Sequence, residues 1–126
     1  MNDQHATLHD LRERMASFVR ERDWEQFHSP KNLSMSIAIE AAELMEHFQW
    51  LTTEQSEHLD PAALQEIGEE LADIVLYSLS LANHLQIDLA ETVLAKMAKN
   101  ERKYPKEQVR GKAHKYTYYR KQEGEK

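Results

Sequence analysis

An all-α fold, a four-helix bundle followed by an irregular basic and aromatic C-terminal arm, is what this sequence predicts. Three observations carry the prediction. Apolar residues recur at helical rather than alternating spacing, only three glycines and three prolines punctuate 126 residues, and helix-opening patterns precede the long periodic stretches. Thr7 with Asp10 forms a capping-box pattern that opens a first helix, whose apolar stripe of Leu8, Leu11, Met15, Phe18 and Val19 runs toward Trp24. Ser29-Pro30 supplies a cap and a first-turn proline for a second helix reaching about Trp50, and residues 52–59 read as a polar connection. Asp60-Pro61 opens a third helix that continues to about Leu85. Asp88 with Glu91 opens a fourth, which ends before Pro105. Short links between four helices predict antiparallel neighbours. From Pro105 the chain turns basic and aromatic, with Gly111 and then Lys115, Tyr116, Tyr118, Tyr119, Arg120 and Lys121, and an irregular arm is expected there. The expected organisation is one domain over residues 1–126, with a core of about 7–104 and an arm of 105–126.

Charge and composition narrow the function classes. A net charge of -6 and a pI near 5.6 argue against generic binding to nucleic acid, whose phosphates call for a basic surface. The chain has no cysteine, which removes disulfides and thiolate metal sites, and it opens without a signal-peptide pattern, so a cytoplasmic protein is expected. Its longest apolar run, around Leu71 to Leu85, is interrupted by Asp73, Tyr77, Ser78, Ser80, Asn83 and His84, so no membrane span is expected.

Within the second and third helices lie two carboxylate pairs of equal spacing, Glu40-x-x-Glu43 and Glu70-x-x-Asp73. Residues three apart share a helix face. At 100° per residue Ser36, Glu40, Glu43 and His47 fall in one sector beside Leu33, Ile37 and Leu44, while Glu66, Glu70, Asp73 and Tyr77 fall in another beside Ile67, Ile74 and Leu81. Acids on an amphipathic helix are ordinarily just its solvated edge. Two features weigh against that here: the third helix is apolar on nearly all sides after Leu71, and no lysine or arginine lies between Lys31 and Lys96 to neutralise either stripe. Unpaired burial of a carboxylate costs several kcal/mol, on the order of 2–7 even for a neutral polar group. A hard divalent cation supplies the missing charge, and oxygen-only ligands favour Mg²⁺ or Mn²⁺. A di-iron bundle calls for Glu-x-x-His pairs, and these positions offer none.

These motifs resemble the all-α nucleoside triphosphate pyrophosphohydrolases of the MazG type, whose hallmark is a Glu-x-x-Glu helix followed by a Glu-x-x-Asp helix. More narrowly, the chain resembles the dCTP pyrophosphatase branch. Glu21-Arg-Asp-Trp-Glu-Gln-Phe-His28, Asn32-Leu33, Phe48-Gln-Trp50, Glu69-Glu-Leu-Ala-Asp73 and the Lys112 to Thr117 segment carry that likeness, which spans roughly residues 16–117. The resemblance implies Mg²⁺-dependent conversion of a (deoxy)nucleoside triphosphate, dCTP or a modified dCTP, to the monophosphate and pyrophosphate, in the service of nucleotide-pool sanitation. It implies a homo-oligomer, a tetramer in preference to a dimer. Carried over by position, Glu40, Glu43, Glu70 and Asp73 hold the metal and form the catalytic set, and Trp24, His28, Asn32, Trp50 and Tyr77 line the nucleoside pocket. Residues matching Lys96 and Asn100 stand near the metal and phosphates, and Lys103 shares their face at i+7. One departure is Ile39, where many such proteins have a further glutamate, so the number of bound metal ions stays open.

Read without the resemblance, the same residues keep bland alternatives. Either tryptophan serves core packing as readily as base stacking. His28 and Asn32 serve as helix caps as readily as base-edge partners, and lysines on a helix are ordinarily solvated. The competing functions are a non-catalytic helical oligomer that senses metal or nucleotide, and a purely structural bundle.

Overall fold

The first helix starts where a reciprocal pair of hydrogen bonds forces it to. Thr7 Oγ1 accepts from the Asp10 backbone N–H at 3.1 Å, and the Asp10 carboxylate accepts from the Thr7 N–H at 2.9 Å. Those bonds hold the Asp10 carboxyl below its usual range and open α1 (Leu8–Glu21). The computed structural model describes residues 1–113, which are all-helical with no strand among the described residues. After α1 the chain turns through Asp23, at φ 52°, into a single 3-10 turn over Glu25–Phe27. Ser29 then caps α2 (Pro30–Glu46), accepting from the Asn32 N–H at 3.2 Å with proline in the first turn.

The second helix ends earlier than its periodicity predicts. Beyond Glu46 most bonds tighten to i→i−3, with His47 N–H on the Leu44 carbonyl and Phe48 N–H on that of Met45, which Gln49 N–H also reaches, and residues 47–50 form turns rather than helix. The polar connection likewise contains a short helix, α3 (Thr53–Ser56), opened by a Thr52/Gln55 capping box. Asp60 caps α4 (Pro61–Leu85), the longest element, which stops at Gln86 in the left-handed region at φ 55°.

Packing in residues 1–87, one of two compact units, is set by α2 lying along α4 and α1 lying against α4. His28, just before α2, meets Tyr77 late in α4, while Glu40 further along α2 meets Glu70 earlier in α4, so the two helices run antiparallel. Arg12 fastens α1 to the end of α4. Its Nε donates to Asn83 Oδ1 at 2.8 Å and its Nη1 to the Ile87 carbonyl at 2.6 Å, while Asn83 Nδ2 donates back to the Arg12 carbonyl at 3.1 Å. The interior is small: among described apolar residues only Val19, Leu33, Leu79 and Ala82 are buried in the single chain. Leu71 and Val75, expected to enclose Asp73, are 53% and 41% exposed, so the apolar sides of α4 face outward as well as inward.

The second unit begins at Asp88, whose carboxylate accepts from the Glu91 N–H at 3.0 Å and opens α5 (Leu89–Lys103). Where an irregular arm is expected, the chain first forms one more turn, α6 (Lys106–Val109), and then passes Gly111 at φ 77°, a conformation glycine adopts without a Cβ clash. The basic and aromatic run from Lys115 lies outside the described residues. No helix among them is long and apolar enough to cross a membrane.

Candidate active site

Regular geometry delivers the acids to one place. Three-residue spacing puts Glu40 and Glu43 on one face of α2, antiparallel packing sets that face against α4, and there Glu70 meets them. Each offers a carboxylate oxygen, and these oxygens all lie within 4.8 Å of one another. Among the described residues no salt bridge reaches them. Glu40 Oε2 and Glu70 Oε2 are buried and accept no hydrogen bond from the described residues. The Glu40 carboxyl is accordingly pushed up from 4.5 to about 7, first by the Glu43 carboxyl in hydrogen-bonding range, then by burial, then by Glu70, with the charge of Asp73 adding to it. Like charges and lost hydration both disfavour ionisation. A cation reverses both terms, so the donor set suits a hard divalent metal held by oxygen ligands.

Asp73 stands apart from this tight trio. It is half-buried, close enough for its charge to raise Glu40 and Tyr77, and it lines a neighbouring pocket of about 440 Å³. Leu11, Met15, Phe18, Trp24, His28 and Tyr77 form most of the remaining wall, with Arg14 also lining it. The aromatic rings form a continuous series: Phe18 to Trp24 at 5.7 Å, Trp24 to His28 at 6.3 Å and His28 to Tyr77 at 6.5 Å between centroids. The Tyr77 hydroxyl is pushed up by burial first and then by Glu40, Asp73 and Glu43, which places it on the seam between pocket and acids. An apolar, aromatic recess of this size beside a carboxylate cluster has the dimensions and chemistry of a site for a flat ring carrying an anionic, metal-bound tail.

Comparison with known proteins agrees with that geometry. Residues 35–118, two thirds of the sequence, match the MazG-like family. The chain belongs to the MazG-like family. Among curated MazG-like relatives, dCTP pyrophosphatase 1 of Bos taurus is 44% identical over 113 residues, covering 88% of this chain and 67% of that protein. That of Mus musculus is 45% identical over 116 residues, covering 88% and 66%, so the chain spans about two thirds of the length of these relatives. Among solved structures, a pyrophosphatase from Archaeoglobus fulgidus is 39% identical with a TM-score of 0.70, and the match covers 83% of this chain and 98% of that one.

Of the residues that the MazG-like pattern singles out, the structure brings Glu40, Glu43 and Glu70 together, with Asp73, Tyr77, His28 and Trp24 adjoining them. Asn32 Nδ2 donates to the Phe27 carbonyl at 3.1 Å, which secures the 3-10 turn to α2. Trp50 stays away from the pocket in the single chain, in the turns after α2, at 86% exposure. Lys96, Asn100 and Lys103 belong to the second unit, where the Lys103 ammonium is pushed down chiefly by Lys96, which shows the two charges on one side of α5. Leu11, Arg14, Met15 and Phe18 are pocket residues that sequence reasoning missed. Their spacing was visible, but a stripe at i, i+4 and i+7 reads as core whether protein or a recess lies against it.

Proposed function

We infer that this protein is a nucleotide pyrophosphohydrolase that acts on dCTP or a modified dCTP, releasing the monophosphate and pyrophosphate, with Mg²⁺ held by Glu40, Glu43, Glu70 and Asp73. The observation that carries the reading is the pair of buried glutamate oxygens with no hydrogen-bond partner among the described residues, set beside an aromatic recess. Family membership and the dCTP pyrophosphatase relatives support the substrate class. Bound there, Mg²⁺ supplies positive charge against the triphosphate oxygens as the α–β linkage breaks.

The remaining work falls to side chains of this chain. Trp24 and Tyr77 hold the base, His28 reads its edge, and the apolar wall of Leu11, Met15 and Phe18 keeps water from the ring. Glu43 orients the attacking water and accepts its proton, the role of a general base that stands within hydrogen-bond reach of the water it deprotonates. Lys96, Asn100 and Lys103 serve the phosphates. Trp50 and the exposed Ile39, Met45, Leu64 and Leu71 support assembly as a homo-oligomer, a tetramer in preference to a dimer, because apolar surface on this scale is usually covered. The acidic composition fits a cytoplasmic enzyme of the nucleotide pool that does not bind nucleic acid.

The test is a panel of canonical and 5-substituted nucleoside triphosphates with Mg²⁺, scored for monophosphate and pyrophosphate. Release of both from dCTP above the other canonical nucleotides is the expected result. Binding of dCTP with no pyrophosphate released would favour a sensor instead.

A further inference from the structure

The stripe of α1 that walls the aromatic pocket runs Leu11, Arg14, Met15, Phe18, and its second member breaks the apolar pattern. Spacing of i, i+3, i+4 and i+7 keeps all four on one helix face, so Arg14 belongs to that wall by periodicity as well. Its guanidinium has no hydrogen bond and no ion pair among the described residues. The other arginines of this region are engaged. Arg12 Nε donates to Asn83 Oδ1, Arg20 Nη2 to Ser17 Oγ at 3.2 Å, and Arg22 Nη1 to the Phe18 carbonyl at 3.1 Å. Asp10, the ordinary i, i+4 partner one turn before Arg14, accepts instead from the Thr7 N–H at 2.9 Å. Nor does an ion pair join Arg14 to Asp73, the acid of the pocket wall. Arg14 is exposed and also borders a groove lined by Glu13, Ser17, Glu21 and Arg22, so it stands at the pocket rim.

What such a residue can do follows from its donors. A guanidinium is permanently charged, has no acceptor and presents paired N–H groups in one plane. No other residue lining the pocket does so: Trp24 has one N–H, the Tyr77 hydroxyl donates or accepts, and an imidazole offers one nitrogen to a given edge. His28 is moreover shared with a second recess of about 330 Å³, which Val19, Ser80 and His84 also line. Cytosine carries two adjacent acceptors, O2 and N3, spaced much like the oxygens of a carboxylate, the usual mate of the guanidinium fork. Uracil puts an N3–H donor in place of the second acceptor, so the same fork loses one bond and meets a donor. We propose that Arg14 is a specificity-determining residue whose guanidinium donates two parallel hydrogen bonds to O2 and N3 of cytosine. The assignment deepens the dCTP reading above and rests on it for turnover, while recognition of the base can be read without turnover.

Among the other bases only guanine pairs two adjacent acceptors, O6 and N7, so uracil, which differs from cytosine at this edge alone, is the control. The full chain with Mg²⁺ is compared with Arg14→Leu and Arg14→Lys on dCTP and dUTP. Arg14→Leu should raise KM for dCTP roughly 10–100-fold, the range for a lost bidentate pair, with kcat little changed and dUTP unaffected. Arg14→Lys keeps the charge without the fork and should recover little of that loss. Both variants should melt with the wild type, because Arg14 is exposed and its guanidinium bonds none of the described residues. Calorimetry with dCMP and dUMP asks the same question without catalysis: wild type should bind dCMP more tightly, and Arg14→Leu should not. An equal loss for dCTP and dUTP, a selectivity that survives Arg14→Leu or that Arg14→Lys fully restores, or no dCMP preference in wild type would overturn the proposal. A wild type that prefers dCMP through Arg14 yet releases no pyrophosphate from dCTP would instead strike the enzyme reading and leave the role of Arg14 standing.

Discussion

The two ends of the α2–α4 groove are built by different means. At the acidic end, Glu40, Glu43 and Glu70 come from two regular helices, and their convergence needs only helical periodicity and antiparallel packing. At the aromatic end, Trp24 and His28 flank a 3-10 turn, Phe18 and Met15 come from α1, and Tyr77 comes from α4. The first is an electrostatically strained cluster that asks for a cation. The second is a polarisable recess of aromatic and apolar side chains into which His28, Tyr77, Arg14 and Asp73 bring directional groups. The acid cluster and the aromatic recess thus meet on adjacent stretches of α4, and the Tyr77 hydroxyl lines the recess while feeling the charge of the acids.

If that division is right, damage at each end has a different kinetic signature. The largest effect is expected from Glu43→Gln, which keeps the helix and the shape but removes the base. Pyrophosphate release should fall by roughly 10²–10⁴-fold with circular dichroism unchanged. A variant that turns over dCTP at the wild-type rate would remove Glu43 from the mechanism. At the other end, Trp24→Ala should act on binding, raising KM about tenfold or more as stacking of about 1–3 kcal/mol is lost, with a smaller change in kcat. A pure kcat loss there would dissolve the distinction between the two ends.

A third change leaves both ends alone. Arg12→Ala removes the bonds that fasten α1 to the end of α4 and should lower stability by about 1–3 kcal/mol, read as the chemical denaturation midpoint. Because α1 forms one wall of the aromatic pocket, any activity loss should appear in KM before kcat.

The smallest effect concerns pH in metal-free protein. The folded-state value of Glu40, about 7, lies above its ordinary 4.5, so the folded chain holds that proton more tightly than the unfolded one. This contribution to stability is complete below about 4.5, declines as pH rises, and is gone above about 7. In EDTA the melting temperature should therefore fall over that window. Divalent cation should abolish the fall and stabilise more at pH 8 than at pH 5, since protons and metal compete for the same oxygens. A metal effect independent of pH would place the ion away from Glu40.

The acidic site was legible because its signal is local. Two i, i+3 pairs without a nearby cation imply, from residues alone, that charge has to be supplied from outside. The aromatic pocket was legible only in part. Trp24, His28 and Tyr77 were reached through family resemblance, whereas Leu11, Met15 and Phe18 were taken for core, because periodicity reports which face is apolar and not what lies against it. Asn32 was read two ways, and in the structure its side chain secures the turn to α2. Asp73 was expected to be enclosed by α4's own apolar residues. It is instead half-buried, with Leu71 and Val75 turned outward.

The amino-acid sequence by itself determined the helical class, the caps at Thr7, Ser29, Asp60 and Asp88, and the acidic stripes, because each depends on residues within a turn or two of one another. Only the tertiary structure decided that Glu40 meets Glu70, that the stripe of α1 walls a pocket rather than filling a core, and that His28 lines two recesses at once. Those facts join residues up to dozens of positions apart. They follow from how α1, α2 and α4 pack, which local periodicity constrains but does not specify.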